Sequence, residues 1–136
     1  MWHTPFHERN DNGKIRGNIR NAILTFLTAL VIILVFAFLD YLAHSTSDEY
    51  AVPPRYFPNK IIYGTLIGFV TLLITRKLKT TAKSFIFSTT VAILLQTRYY
   101  LEGYPKDFVF LFLAIHFIIL YTVSSIVLRT KMFSHS

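Results

Sequence analysis

The chain has 136 residues, of which 53% are hydrophobic and only 15% charged; it carries a net charge of +7 and contains no cysteine. A mean hydropathy of +0.46 is far above that of a soluble domain of this size and reads as a membrane protein. The lack of cysteine excludes disulfides, zinc–thiolate sites, iron–sulfur clusters and thiol catalysis.

Residues 1–20, "MWHTPFHERNDNGKIRGNIR", form a basic arm too short to fold alone but long enough to lie along the membrane or a neighbour. The first apolar run, 22–39, predicts a span over 21–43, since roughly 20 helical residues cross a bilayer core about 30 Å thick. It exceeds a secretory core of roughly 7 to 15 residues and has no small-x-small site after it, so it is expected to remain as an anchor. The next stretch, "HSTSDEYAVPPRYFPNK", contains Pro53, Pro54 and Pro58, which forbid continuous helix and favour an extended path over the outer face, a usual kind of contact surface. A second span over 58–75 is long enough only if its helix begins near Phe57 or Pro58, with Pro58 in the first turn and Lys60 snorkelling outward. Third and fourth spans are predicted over 82–101 and 107–128.

Short connections make spans two, three and four antiparallel neighbours. "ALVIILVFAFL" shows none of the alternation a strand barrel needs. The expected fold is therefore all-α: a single integral membrane four-helix bundle over 21–136. Charge sets its orientation. Ten of the 14 basic residues lie in the arm, the second loop and the tail, while Arg55, Lys60, Arg98 and Lys106 share the other side with five acidic residues. Both termini are therefore expected in the cytoplasm, with the chain in the plasma membrane. The positive charge is a topology and lipid-headgroup signal, and no nucleic-acid binding is expected.

Few residues can carry chemistry. His116 falls near the middle of span four, where an ionisable group is costly. With no second intramembrane acid or histidine evident, its expected role is structural, bonded to a hydroxyl such as Thr65, Thr89, Thr90 or Tyr121. Asp40 and His44, spaced i, i+4, share a helix face and can offer two ligands to copper or zinc. Two ligands do not make a site, so Asp40 is expected to pair with Lys60 or Arg98 and His44 to be solvated. Gly64 and Gly68, continued by Thr71 and Thr75, form a small-residue stripe for close helix packing, and Gln96 is expected to bond across the bundle. No phosphate loop, serine–histidine–acid set or deep carboxylate of the small multidrug-transporter kind is evident, so the chain is not expected to be an enzyme by itself.

Between spans three and four, "QTRYYLEGYPKDFVF" reads as a hairpin closure. Tyr99, Tyr100 and Tyr104 suit an aromatic belt, Arg98 can pair with Glu102, Gly103 and Pro105 turn the chain, and Asp107 suits a cap on the last helix. Together with Arg55 and Tyr56 of loop one, this crowding of tyrosines and charges is the expected docking surface.

"GYPKDF", residues 103–108, resembles a turn in the A subunit of archaeal ammonia monooxygenase. Asp40 and His44 resemble a carboxylate-x3-histidine ligand pair of that copper-dependent family's C subunit, and "DEYAVP" resembles an acidic pair preceding Ala-Val-Pro there. The further histidine of the bacterial pattern, thirteen residues on, is Phe57 here, and the chain is shorter than a core subunit. The resemblance implies an accessory subunit within a hetero-oligomer of such a complex, with other integral membrane subunits and lipids as partners. It implies no cofactor of the chain's own, with copper in the parent complex. The residues themselves leave open a small metal-binding or transport protein using Asp40, His44 and His116. A four-span protein of the phosphate-starvation type matches only in length and layout.

Overall fold

The computed structural model describes residues 5–130, with side chains from Gly13 onward. Four α-helices make up almost all of it: α1 (Pro5–His44), α2 (Tyr56–Ile74), α3 (Thr80–Leu101) and α4 (Lys106–Arg129), with a 3-10 turn at Asp48–Tyr50. No strand occurs among the described residues. The helices close a ring in which α1 packs on α2 and α4, and α3 on α2 and α4. Helices α1, α2 and α4 are each long and apolar enough to cross a membrane.

Each boundary has a local cause. The first helical residue of α1 is Pro5, where a missing N–H costs nothing. The helix then runs 40 residues, about 60 Å, carrying helical structure through the basic arm. Before α2, the carbonyls of Pro53 and Pro54 accept from the Tyr56 and Phe57 amides at 3.0 and 3.2 Å, so the prolines start the helix they could not continue. At the far end of α2, the Thr75 amide and hydroxyl both bond the Thr71 carbonyl, at 2.9 and 2.8 Å. Helix α3 stops at a Schellman closure: Gly103 takes φ +86°, its amide bonds Tyr100 O at 3.2 Å, and the Tyr104 amide bonds Tyr99 O at 3.1 Å. A residue with a β-carbon would be strained at Gly103. Pro105 then sits at the N-cap of α4. Asp107 lies in the first turn without a side-chain cap bond, a correction to its expected role, because the rigid proline occupies the cap position.

The core follows the helix seam. Ile32, Ile33, Phe36, Phe87, Val91, Ala92 and Leu120 are buried in its main cluster. A second, aromatic cluster of Tyr56, Tyr99, Phe108, Val109 and Phe112 lies at the end that carries the first and third loops. Large apolar side chains cover the outside of every helix, among them Phe38, Leu66, Ile93, Phe110 and Ile118. Such a coat would be an anomaly in water and is ordinary against lipid.

The small-residue stripe of α2 serves contacts inside the chain. A β-carbon on Gly64 would stand 3.2 Å from Cδ1 of Ile33 on α1, and one on Gly68 would stand 2.6 Å from Cε2 of Phe87 on α3. Absence of side chains lets two different neighbours approach one helix. Thr71 continues the buried face and turns its hydroxyl back to Ile67 O at 2.8 Å.

Candidate metal centre

Four helices contribute to one buried polar cluster near the aromatic end of the bundle. Asp40 and His44 come from the last two turns of α1, Lys60 from the second turn of α2, Gln96 and Tyr99 from the end of α3, and His116 from within α4. Asp40 and His116 are fully buried, and His44, Lys60 and Gln96 are each no more than 4% exposed. One ligand-type atom from each of Asp40, His44 and His116 lies within 4.8 Å of the others.

Asp40 is the hub. Its Oδ2 accepts from the Lys60 ammonium, and its Oδ1 lies 2.7 Å from His116 Nε2 and 3.3 Å from His44 Nε2. A buried carboxylate is tolerable only with donors such as Lys60 and His116. His44 Nδ1 lies 2.7 Å from Tyr50 O, which can only accept, so the ring proton sits on Nδ1. In the neutral ring Nε2 is then the lone pair; it points into the cluster, 3.3 Å from the Lys60 ammonium and from Asp40 Oδ1 and 3.5 Å from the Tyr99 hydroxyl. A backbone carbonyl holding one ring nitrogen while the other points inward is the usual arrangement of a metal-binding histidine.

His116 has the opposite tautomer. Its Nε2 donates to Asp40, and Nδ1 is the lone pair, 3.4 Å from the Gln96 amide nitrogen. Gln96 Oε1 is buried with no partner among the described residues. Turning the Gln96 amide over would put that oxygen against Nδ1, which suits a His116 whose proton has moved to Nδ1 and whose Nε2 is free to bind a cation. Aromatic rings wall the cluster: His44 stacks on Phe112 with centroids 4.0 Å apart and planes 3° apart, and Phe36 meets His116 edge-on at 5.1 Å.

Several expectations change. His44 is buried and stacked rather than solvated, because loop one returns Tyr50 over it. Lys60 turns inward, drawn by Asp40, instead of snorkelling. His116 bonds Asp40 and Gln96 rather than a hydroxyl, so an acid and a second histidine do share its interior. Asp40 is fully buried in the bundle and pairs with Lys60 as expected. Gln96 reaches across from α3 to α4 as expected.

Of the expected docking residues, Tyr56 and Tyr99 are buried rather than at the surface, because their rings pack on each other and the Tyr99 hydroxyl turns in to His44; the others lie apart from the cluster. Arg98 bonds Glu102 through Nε at 3.2 Å and stands 4.4 Å over the Tyr56 ring. Arg55 stands over the same ring, 5.9 Å from its centre. Tyr104 stacks on Phe108 at 4.9 Å, while Tyr100 and Asp107 are exposed. The Tyr50 carbonyl is a site member that the sequence does not announce, and Lys60 is one it named only as a partner of Asp40. The signal for Lys60 was a lysine one turn inside an apolar span, at the level of Asp40; the backbone carbonyl had none. No protein-family model, curated protein or solved structure matches the chain.

Proposed function

We propose that the chain is a multi-pass membrane protein that binds one divalent transition-metal ion inside its bundle, with Asp40, His44 and His116 as the protein ligands. The observation that carries this reading is the convergence of their ligand atoms within 4.8 Å, from two helices, with His44 Nε2 directed inward by the bond from its Nδ1 to Tyr50 O. Nitrogen and carboxylate ligands without sulfur suit zinc, iron(II) or copper(II). At about 2.0–2.1 Å per bond, tetrahedral ligand atoms stand about 3.3 Å apart. The His44–Asp40 separation of 3.3 Å meets that spacing, and the His116–Asp40 hydrogen bond of 2.7 Å must open by about 0.6 Å. Three protein ligands leave a position for water or substrate, as in reactive rather than purely structural sites. Lys60 serves as the counter-charge of Asp40 when no ion is bound, and yields Asp40 when one is. In this reading all four helices span the plasma membrane, with both termini on the cytoplasmic side.

The test is metal loading of protein purified in mild detergent, followed by measurement of bound zinc, iron and copper. One ion per chain is the prediction, with loss of binding in Asp40→Asn, His44→Ala and His116→Ala. Wild-type protein that retains only trace metal after loading sinks the reading.

A second reading, an accessory subunit of a membrane complex of the ammonia monooxygenase type, draws on the loop end of α3. There Tyr100 and Leu101 are 59% and 76% exposed beside the Arg98–Glu102 pair. Co-purification from native membranes tests it, and a chain that always emerges alone would exclude it.

A further inference from the structure

Between α2 and α3 lies a side-opening cleft of about 240 Å³. These are the most loosely engaged of the neighbouring helix pairs. The cleft is graded along its length. Asn59, Lys60 and Arg98 line one end, near the loop end of the bundle, and Ile67, Leu94 and Leu95 line the other. Ile67 lies seven residues beyond Lys60 on α2, so polar and apolar ends are about 10 Å apart. That is the orientation of a membrane amphiphile, with its head at the surface and its chain toward the mid-plane.

The polar end is rich in donors. Lys60 has three N–H groups, of which Asp40 and His44 take two. Arg98 uses Nε for Glu102 and keeps its terminal amines, the fork that matches a carboxylate. No carboxylate lines the cleft; Asp40 and Glu102 hold the two cations from outside it. The volume falls below the roughly 300–1,000 Å³ of pockets that enclose whole drug-sized ligands, so the cleft takes a small head and the first part of one chain, the rest running out through its open side among the lipid tails.

We propose that this cleft binds a single-chain carboxylate amphiphile, a long-chain fatty acid, with its head between Lys60 and Arg98 and its chain along Ile67, Leu94 and Leu95. The site shares Lys60 and Tyr99 with the buried cluster but stands without any metal.

The experiment reconstitutes chelator-treated full-length protein in phosphatidylcholine vesicles and records the electron paramagnetic resonance of spin-labelled stearate, stearylamine and phosphatidylcholine, at a pH that ionises the stearate. The motionally restricted fraction should favour stearate over both others by roughly fivefold per cation engaged. Arg98→Gln should lower that preference roughly fivefold, and Leu94→Trp, at an already exposed position that fills the cleft, should abolish it. Equal restriction of stearate and stearylamine would overturn the proposal. So would an unchanged preference in a helical Leu94→Trp protein or, if that variant misfolds, in Ile67→Phe. Because the protein is metal-stripped, the result is separate from that of the metal titration.

Discussion

Gln96 offers the sharpest test of the buried centre. With no ion bound, its amide nitrogen faces His116 Nδ1 at 3.4 Å and its Oε1 is buried without a partner. With an ion on His116 Nε2, the proton must sit on Nδ1, and a turned-over Gln96 accepts it through Oε1. Replacing Gln96 by leucine of similar size therefore removes a bond that exists mainly in the metal-bound form. Loss of such an outer partner typically costs about 10–100-fold in metal affinity, or roughly 1.4–2.8 kcal/mol. The unloaded protein loses only a long contact and sheds an unsatisfied oxygen, so its stability should change by no more than about 1 kcal/mol. The prediction is a selective effect: zinc affinity, measured by competition with a chelator, falls 10–100-fold, while the thermal midpoint of chelator-treated protein scarcely moves. Gln96→Glu should restore affinity, since a carboxylate accepts from Nδ1–H. Equal zinc affinity in wild type and Gln96→Leu would refute the tautomer argument, even if zinc binds.

Three further predictions concern the scaffold. Asp40→Asn leaves the Lys60 ammonium buried without its counter-charge and should destabilise the protein by about 3–5 kcal/mol; Asp40→Asn combined with Lys60→Met should recover most of that, as read by thermal unfolding in detergent. Gly68→Ala forces a β-carbon to 2.6 Å from the Phe87 ring and should cost about 1–3 kcal/mol, with Phe87→Leu as a compensating change; a neutral Gly68→Ala would mean that α2 and α3 separate freely. Glu102→Gln breaks only a half-exposed ion pair with Arg98, so a stability loss well above about 1 kcal/mol would show that this pair does more than close a turn.

The long apolar runs were enough to call four helices, because a backbone among lipid tails must satisfy its own hydrogen bonds. The i, i+4 spacing of Asp40 and His44 likewise put them on one helix face. The hairpin at Gly103 was readable from its glycine and proline, although Pro105 rather than Asp107 takes the cap. The two glycines of α2 announced close packing, but not that one would face Ile33 and the other Phe87.

What the sequence determined by itself was thus the number of helices and their apolar middles, governed by local hydrogen bonding and hydropathy; it did not show that α1 runs on through the basic arm to 40 residues. The rotation of each helix about its axis was decided only in the folded bundle. A helix that is apolar nearly all round has no strong stripe to set that rotation. It is packing around the Gly64 and Gly68 faces, and the pull of Lys60 and His116 on a buried Asp40, that turn these side chains inward. Asp40 and His116 are 76 residues apart in the chain, and their 2.7 Å contact depends on the register between α1 and α4. No local pattern encodes that register, which is why residues that looked isolated along the chain form one centre in space.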